Sequence, residues 1–338
     1  MEFDFDDDQY AFRDAIRAFL QQRFPAARLR ELWSAGGSDV RTQWAGLAES
    51  GVIAVAIGEE FGGGGSLLDL ALPLEELGYA AAPEGLALAA GVVAPAVSQY
   101  ASAVRCDEWL EGLAGGDIIP SLVLAGQRVV LGAQDADVFL VQDDDGLLLA
   151  PRVELRVGRL RTQDGSLRAG TVDGDIDERF RIASGRSAAE AVRSAARAVT
   201  ASTMVGSSQR LIDMTRDYVL VREQFGTAIG SFQAVKHRLA DAAVQLEAAR
   251  SLAWWAHYCL VHDERRAAVA SMMAKDAANA AATLAGYAAL QLHGGIGFTW
   301  EHDLHLWLQR GKALQHLFGS SDDLRLELGD RFLAEVVA

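Results

Sequence analysis

Cysteine is nearly missing from this chain of 338 residues, which contains only Cys106 and Cys259. The two lie far apart and have no partners at the spacing of a metal site. No run of eighteen apolar residues is present, and the N-terminus is acidic without an apolar signal core. These absences predict a reduced, cytoplasmic protein that holds no metal and does not span a membrane.

Positive charge is also scarce. The chain has 31 Lys and Arg against 46 Asp and Glu, a formal net charge of −15. This balance argues against a nucleic-acid partner and against binding to an anionic membrane surface. Half of the residues are hydrophobic, which is enough for a large core divided into two or three domains.

Proline does not occur after Pro151, and this absence favours long uninterrupted helices. Many residues beyond 186 are alanine, and such faces suit both close helix packing and subunit contacts. We predict a C-terminal helical bundle over residues 186–338. Its helices are expected near 187–221, 231–260, 264–291, 301–318 and 321–337.

The N-terminal part, residues 1–116, is predicted to be a second helical domain. Apolar residues recur at helix spacing over Gln9–Arg23, Asp39–Ser50 and Leu68–Tyr79. Four consecutive glycines, Gly62 to Gly65, suggest a phosphate-binding loop, but they lack the Gly-Lys-Ser/Thr that ends a P-loop. A turn before the next helix is the favoured interpretation.

Between these two parts, residues 117–185 change to short β-favouring runs separated by turn residues. We predict a small antiparallel β domain there, so that the fold class is mainly α. Asp143 to Asp145 indicate a hairpin turn, with a cation site as the weaker alternative. The predicted strands lie near 118–124, 128–131, 137–142, 147–150, 152–157, 167–172 and 179–182.

The most informative stretch runs from Arg222 to His237, between two predicted helices. Arg222 ends the first helix, where a guanidinium can form a forked contact with a phosphate across the turn. The alternative is an arginine that only complements the helix dipole.

A second glycine-containing stretch begins at Gln291 and ends at Phe298. In its Gly294-Gly-Ile-Gly turn the backbone N–H groups could face a pyrophosphate. His293 could be a ligand or a base, but packing is the favoured role.

Arg222-Glu-Gln-Phe-Gly and Gln291-Leu-His-Gly-Gly, about seventy residues apart, together resemble the C-terminal domain of the acyl-CoA dehydrogenases. In that family the first motif contacts the pyrophosphate and adenine of a neighbouring subunit's FAD, and the second motif contacts the same FAD. The resemblance implies a helical, β and helical domain order and an FAD shared at a subunit interface. The implied FAD contacts are Arg222, Gln224, Phe225, Gln291, Gly294 and Gly295.

The family's reaction removes the α proton of a CoA thioester as hydride leaves the β carbon, so it needs a carboxylate base. Counting without gaps from the second motif, the usual base position falls on Phe318. The family's other base position precedes the arginine that matches Arg197, a substrate-pocket candidate, and falls on Ala196. Neither side chain can take a proton. Asp322 and Asp323 are the remaining alternatives.

The middle domain also departs from the family. It has neither a Thr-Glu-Pro…Gly-Ser-Asp motif nor a Lys-x-Trp-Ile…Asn-Gly motif, the segments that normally hold the flavin ring. The resemblance therefore implies three alternatives. The chain is the base-lacking subunit of a heteromeric acyl-CoA dehydrogenase, completing the FAD site of a catalytic partner; or a homomeric acyl-CoA enzyme with another base; or a binding protein without flavin. The first is favoured, and steroid side chains are a possible source of its thioester.

Overall fold

Helices fill the N-terminal part of the computed structural model, which describes residues 4–34, 40–101 and 103–337. The first helix begins at a capping box, in which Asp6 and Gln9 each accept the other's backbone N–H. The side chain of Cys106 lies outside the described residues. A π-helical turn, Ala89–Val93, joins the fifth and sixth helices. The helices are α1 (Asp7–Arg23), α2 (Ala26–Ser34), α3 (Val40–Glu49), α4 (Ala71–Tyr79), α5 (Glu84–Leu88), α6 (Ala94–Tyr100) and α7 (Ala103–Gly115).

The glycine run between α3 and α4 forms a compact turn, as predicted. Its N–H groups bond to carbonyls of the same loop, including Gly64 to Ile57 at 2.9 Å and Gly65 to Val55 at 2.8 Å. A Cβ at Gly63 would lie 2.1 Å from the Ile57 oxygen, so only glycine permits this approach. The loop's N–H groups are satisfied internally, which leaves them unsuited to hold a phosphate.

The middle part contains six strands, β1 (Pro120–Val123), β2 (Val138–Gln142), β3 (Gly146–Pro151), β4 (Arg156–Arg159), β5 (Gly170–Asp173) and β6 (Arg181–Ser184). Four of them form a sheet in the order β1-β2-β3-β6, and β4 and β5 form a separate two-stranded sheet. Asp143 forms the turn between β2 and β3, where its carboxylate accepts the Asp145 and Gly146 N–H groups. Hydrogen bonds from Arg181 hold the pKa of Asp143 below its usual range, so this carboxylate serves the turn and not a cation.

Two details of the predicted β domain were wrong. β1 pairs with β2 in parallel, through Pro120 opposite Val138, whereas an antiparallel sheet was predicted. The predicted strand at 128–131 makes only a single bridge, Val130 to Gly170. Gly126 and Gly132, both with positive φ, bound this segment and turn it away from regular pairing. The other strand predictions hold to within a few residues.

Long helices form the C-terminal part, as the lack of proline predicted. They are α8 (Arg186–Val221), α9 (Gln233–His262), α10 (Glu264–His293), α11 (Leu304–Leu314) and α12 (Ser321–Val337). Buried alanines line α10, and α10 packs on both α8 and α9. The helix predicted at 301–318 is shorter, because the chain leaves helical geometry after Leu314. Phe318 therefore lies in a turn, with φ of 59°.

Two glycines allow α4 and α8 to cross in contact. A Cβ on Gly206 of α8 would lie 1.8 Å from the Glu75 carbonyl oxygen, and one on Gly78 of α4 would lie 1.9 Å from that of Thr203. No side chain fits either position without moving a backbone. This crossing fixes α8, and the residues that α8 carries at both of its ends, against the N-terminal helices.

One buried arginine connects all three parts of the chain. Arg310 on α11 donates to the Ala82 carbonyl at 2.5 Å and to Ser166 Oγ at 2.6 Å, and it pairs with Asp164. The side chains of Arg310 and Asp164 are 1% and 0% exposed. Because a buried charge without a partner is strongly unfavourable, this pair holds the middle β domain to both helical parts. Among the described residues, no helix is long and apolar enough to cross a membrane.

Candidate functional site

The structure brings the two glycine-containing motifs together. Tyr218, one turn before the end of α8, stacks on His293 with ring centroids 4.4 Å apart and planes 21° apart. The Arg222 N–H bonds to the Tyr218 carbonyl at 2.9 Å, and Gly294 follows His293 directly. Arg222 and the Gly294 turn therefore lie at one edge of the C-terminal part. We call this the motif edge, defined by residues 222–226 and 291–295.

A short hairpin presents the first motif. β7 (Glu223–Gln224) pairs with β8 (Thr227–Ala228), and the two residues between them, Phe225 and Gly226, have φ of 55° and 80°. Such a turn is usual for Asn-Gly but strained for phenylalanine. The Phe225 ring is 93% exposed, and its one aromatic neighbour among the described residues is Phe232, in an edge-to-face arrangement with 6.2 Å between centroids. The hairpin thus holds a large aromatic ring out in the solvent.

Arg222 is exposed, and its guanidinium forms no ion pair or hydrogen bond with any residue that the structure describes. Within the part of the chain that the structure describes, the Gln224 side-chain amide donates only to the adjacent Glu223 carbonyl. Lys236 and Arg238, near the start of α9, are also exposed. These exposed cations stand out in a chain whose formal net charge is −15, and the unpaired Arg222 leaves the motif edge able to take an anion.

The second motif has an open backbone. Gln291 is exposed, and the chain turns at Gly294 with φ of 63° into a 3₁₀ segment, Gly294–Phe298. A Cβ at Gly294 or Gly295 would meet no other atom within 4 Å. The positive φ of Gly294 itself favours glycine, whereas neither φ nor packing within the described chain explains Gly295. The unfilled space beside it suits a ligand that approaches the backbone closely.

His293 is a packing residue, as favoured from the sequence. It is 3% exposed, its Nδ1 lies 2.8 Å from the Ala289 carbonyl, and its ring lies between those of Tyr218 and His302. Burial lowers the pKa of its imidazole. Tyr218 and His302 escaped the sequence reasoning, because aromatic packing between separate helices leaves no local pattern.

The features of the motif edge fit the anionic dinucleotide that the resemblance implies. An exposed guanidinium without a counter-ion can fork onto a pyrophosphate. Two glycines without neighbours leave room for the phosphates beside the backbone, and Phe225 offers a ring for stacking. The predicted contacts Arg222, Gln224, Phe225, Gln291, Gly294 and Gly295 all lie on this edge.

The two positions at which the family resemblance places a base, Ala196 and Phe318, lie in different surroundings from each other. Ala196 on α8 is 0% exposed within the core, so no substrate reaches it in this packing. Phe318 is half-buried, and its carbonyl accepts a hydrogen bond from Arg197 Nε at 3.1 Å. Arg197 also pairs with Glu327 on α12, Nη2 to Oε2 at 2.7 Å. The guanidinium of Arg197, which the sequence predicted to line a substrate pocket, is therefore engaged by groups of its own chain.

A second buried cation holds the same turn. Lys275 on α10 is 0% exposed, and its Nζ lies 2.6 Å from Asn279 Oδ1, 3.4 Å from the Gln315 carbonyl and 3.5 Å from the Gly319 carbonyl. Burial lowers the pKa of its ammonium to about 7. The turn at Phe318 is thus fixed from two sides, by groups that the sequence gave no reason to connect.

The nearby carboxylates are engaged in other contacts. Asp323 accepts the Ser320 N–H and hydroxyl at 3.1 and 2.6 Å, and these bonds lower the pKa of its carboxyl. Burial raises the pKa of Glu327, but the hydrogen bond and charge of Arg197 outweigh it and leave that pKa below its usual value. A base needs a raised pKa. Asp323 is instead engaged with Ser320 in a reciprocal capping box at the start of α12, and Asp322 is exposed.

The fold has a helical part, a β part and a second helical part in this order, and it carries the motif edge. This is the architecture of an acyl-CoA dehydrogenase. The model for the N-terminal domain of acyl-CoA dehydrogenases matches residues 6–117, and the model for the C-terminal domain matches residues 183–333. The chain belongs to the acyl-CoA dehydrogenase family, which uses FAD. Solved structures of similar fold include PigA with FAD and proline, with a TM-score of 0.85 at 22% identity.

Particular relatives are also informative. The chain is 31% identical to the acyl-CoA dehydrogenase IpdE2 of Mycobacterium tuberculosis, over 95% of this chain and 96% of that protein. It is 32% identical to FadE34 of the same organism, over 93% of this chain and 46% of that protein. A chain of the ChsE4-ChsE5 complex from M. tuberculosis has the same fold, with a TM-score of 0.88, 23% identity and 99% of both chains covered.

Proposed function

We propose that this chain is the non-catalytic subunit of a two-chain acyl-CoA dehydrogenase, in which its motif edge completes the FAD site of a catalytic partner. The observation that carries the proposal is an asymmetry within one chain. The motif edge keeps every residue type that would face a neighbour's FAD, and Arg222 there has no partner within the described chain. The base positions, in contrast, hold Phe318 and Ala196.

The relatives support a partner of the same fold. ChsE4-ChsE5 is a complex of two different chains. A variant of the Tcur3481-Tcur3483 steroid ACAD matches with a TM-score of 0.86 at 25% identity, over 98% of this chain and 99% of that one. FadE34 matches this chain over less than half of its own length, which leaves room for a second unit of similar size. We infer a catalytic acyl-CoA dehydrogenase subunit as partner and a steroid-derived CoA thioester as substrate.

Each residue of the motif edge has a role in this proposal. Arg222 pairs with the pyrophosphate, and Gly294 and Gly295 let the phosphates approach the backbone N–H groups. Phe225 covers the adenine, with the Gln224 and Gln291 amides beside it. FAD, when bound, supplies the oxidant for the dehydrogenation, while this chain holds the cofactor in place and excludes water from one side of it.

Contacts at the Phe318 turn weigh against a homomeric enzyme that uses a different base. Glu327 is neutralised by Arg197, and Asp323 is used to cap α12, so neither is poised to take a proton. The ring of Phe225 weighs against a binding protein without flavin, because a large apolar side chain held at positive φ and 93% exposed costs free energy that a covering ligand would offset.

The experiment is to purify the chain alone and together with an acyl-CoA dehydrogenase encoded beside its gene, and to record the visible absorbance of bound flavin. Flavin is expected only in the co-purified complex. Arg222→Ala should weaken FAD binding by the complex more than tenfold, since a charge-assisted hydrogen bond contributes about 1.5–3 kcal/mol. Arg265→Ala, at an exposed position on α10, is the matched control. Full flavin content in the chain alone, or unchanged affinity in Arg222→Ala, would refute the proposal.

A further inference from the structure

A cleft of about 350 Å³ lies between the segment that leads into α1 and the second half of α9. One wall comes from residues 4–9 and from Leu68, and the other wall comes from residues 251–258. We call it the aromatic cleft, because it is lined by the rings of Phe5, Trp254, Trp255 and Tyr258. Its volume lies in the range of small-molecule sites, about 300–1,000 Å³.

The rings stand on both walls of the aromatic cleft. Phe5 and Trp254 meet edge to face, with ring centroids 5.1 Å apart and planes 86° apart, so they form two surfaces at a right angle. Trp255 follows Trp254 directly, and Tyr258 lies one turn further along α9. All four residues keep part of their surface accessible, so a ligand in the cleft can contact their rings.

The charge of the aromatic cleft is negative. Among the described residues that line it, Asp4 supplies a carboxylate and none is cationic. Asp4 Oδ1 accepts the Phe5 N–H at 3.0 Å and the Tyr10 hydroxyl at 2.8 Å, whereas its Oδ2 has no partner within the described chain. Asp4 is exposed at the rim, and three more aspartates follow at residues 6–8. The local potential therefore favours a cation.

Both walls are held by contacts outside the cleft. Trp254 Nε1 donates to Glu75 Oε1 at 2.7 Å, and Glu75 in turn pairs with Arg250. On the other wall, Gln9 belongs to the capping box of α1 and donates to Asp69 Oδ1 at 2.7 Å. Because these contacts position the rings before a ligand arrives, binding requires little reordering of the walls.

We propose that the aromatic cleft binds a small organic cation that carries a quaternary ammonium group. Such a cation is attracted to the π faces of Trp, Tyr and Phe in addition to its apolar contact with them, and the Asp4 carboxylate supplies a counter-charge at the rim. A primary ammonium fits less well, because its three N–H donors would meet apolar walls without acceptors. The aromatic cleft shares no residue with the motif edge, so this site does not depend on the function proposed for that edge.

The test compares two probes of the same shape, choline and its neutral analogue 3,3-dimethyl-1-butanol, in which carbon replaces the nitrogen. Isothermal titration of the full chain at constant ionic strength should give saturable one-site binding of choline. The analogue should bind at least about tenfold more weakly, because it gains the apolar contact without the cation–π attraction. Equal or tighter binding of the analogue would overturn the proposal, since the cleft would then be an apolar groove only. Absence of saturable choline binding would overturn it as well.

Two variants separate the contributions of ring and charge. Trp255→Leu keeps an apolar side chain but removes a ring, and it should weaken choline binding about tenfold. Asp4→Asn keeps the acceptor oxygen that Phe5 and Tyr10 use but removes the charge. It should weaken choline binding about two- to fivefold and leave binding of the neutral analogue unchanged. Because Asp4 is exposed, this variant tests the site without disturbing the core.

Trp300→Leu and Asp144→Asn are the matched controls. Trp300 is 70% exposed, Asp144 is exposed in the turn between β2 and β3, and neither lines the cleft, so both variants should bind choline like the parent chain. Unchanged choline binding in Trp255→Leu and Asp4→Asn would overturn the proposal, because choline would then lie elsewhere. Flavin content of the partner complex is a separate readout, so this proposal and the proposed function fail independently.

Discussion

The carbonyl oxygen of Phe318 lies 3.1 Å from Nε of Arg197 and accepts its hydrogen bond. The donor is buried on α8, and the acceptor belongs to a turn in which Phe318 and Gly319 both have positive φ, 59° and 129°. Lys275 approaches the next carbonyl, that of Gly319, at 3.5 Å. Buried positive charge that could serve a reacting thioester is thus directed at the chain's own backbone.

Phe318→Ala should leave the turnover of the complex within about twofold of the parent. Its ring takes no proton, and under the proposed function general-base catalysis, which contributes about 10²–10⁴-fold, is supplied by the partner. Steady-state acceptor reduction with CoA thioesters measures this. The chain alone, with FAD added, should show no turnover. Robust turnover that Asp322→Asn or Asp323→Asn removes would place a base in this chain.

Replacing Phe225 should weaken cofactor binding without lowering the stability of the fold. Phe225→Asn keeps a residue type that tolerates positive φ and removes the ring. The free energy of unfolding of the chain alone, measured with urea, should be unchanged or higher by about 1 kcal/mol, because asparagine bears less backbone strain than phenylalanine at this positive φ. FAD binding by the complex should weaken. A destabilised chain with unaltered FAD binding would show that the ring serves the fold.

Arg310→Met should lower the free energy of unfolding by about 3–5 kcal/mol, because it leaves the Asp164 carboxylate buried without its partner. The double variant Arg310→Met/Asp164→Asn should recover part of this loss. Arg41→Met is the matched control: its pair with Asp137 involves a side chain that is 62% exposed, and such pairs contribute about 0–1 kcal/mol. Equal effects of the two single variants would contradict the role of Arg310.

Stability should rise with pH between about 7 and 10 through Lys275. Its folded pKa is lowered to about 7, against about 10.4 for an unfolded lysine. Across this window the unfolded chain binds the proton and the folded chain does not, so raising the pH favours the folded state. Urea midpoints measured across the window should show this slope in the parent and in Lys236→Met, an exposed lysine, but not in Lys275→Met.

The sequence predicted best what depends on short stretches. The Arg222 and Gln291 motifs, the Gly62 to Gly65 turn and the alanine-rich helices each follow from residues adjacent in the chain. The parallel pairing of β1 with β2 did not follow, because a strand has the same residue period in either direction. The end of α11 was missed because Leu317 continues the apolar spacing, whereas the contacts of Arg197 and Lys275 with the turn are long-range.

In the candidate site, too, the sequence indicated the residues of local motifs but not the contacts between distant residues. The residues of the motif edge were found from their motifs, but their meeting depends on Tyr218 packing on His293, a contact between two helices. Glu327 was missed because nothing near it in the sequence indicates that it reaches Arg197, 130 residues away. Which carboxylates are available as a base could be judged only from such contacts.

Arg310 also bears on the order in which the chain is made. During synthesis the Ala81 and Ala82 carbonyls, and then Asp164, emerge from the ribosome long before Arg310, which donates to both carbonyls and pairs with the carboxylate. Until α11 has been made, Asp164 has no cation to accompany it into the core, so the β part cannot close onto the N-terminal helices in its final form. A ribosome stalled before residue 310 should therefore carry a nascent chain whose β part is still open to proteases, and release of the last helices should protect it.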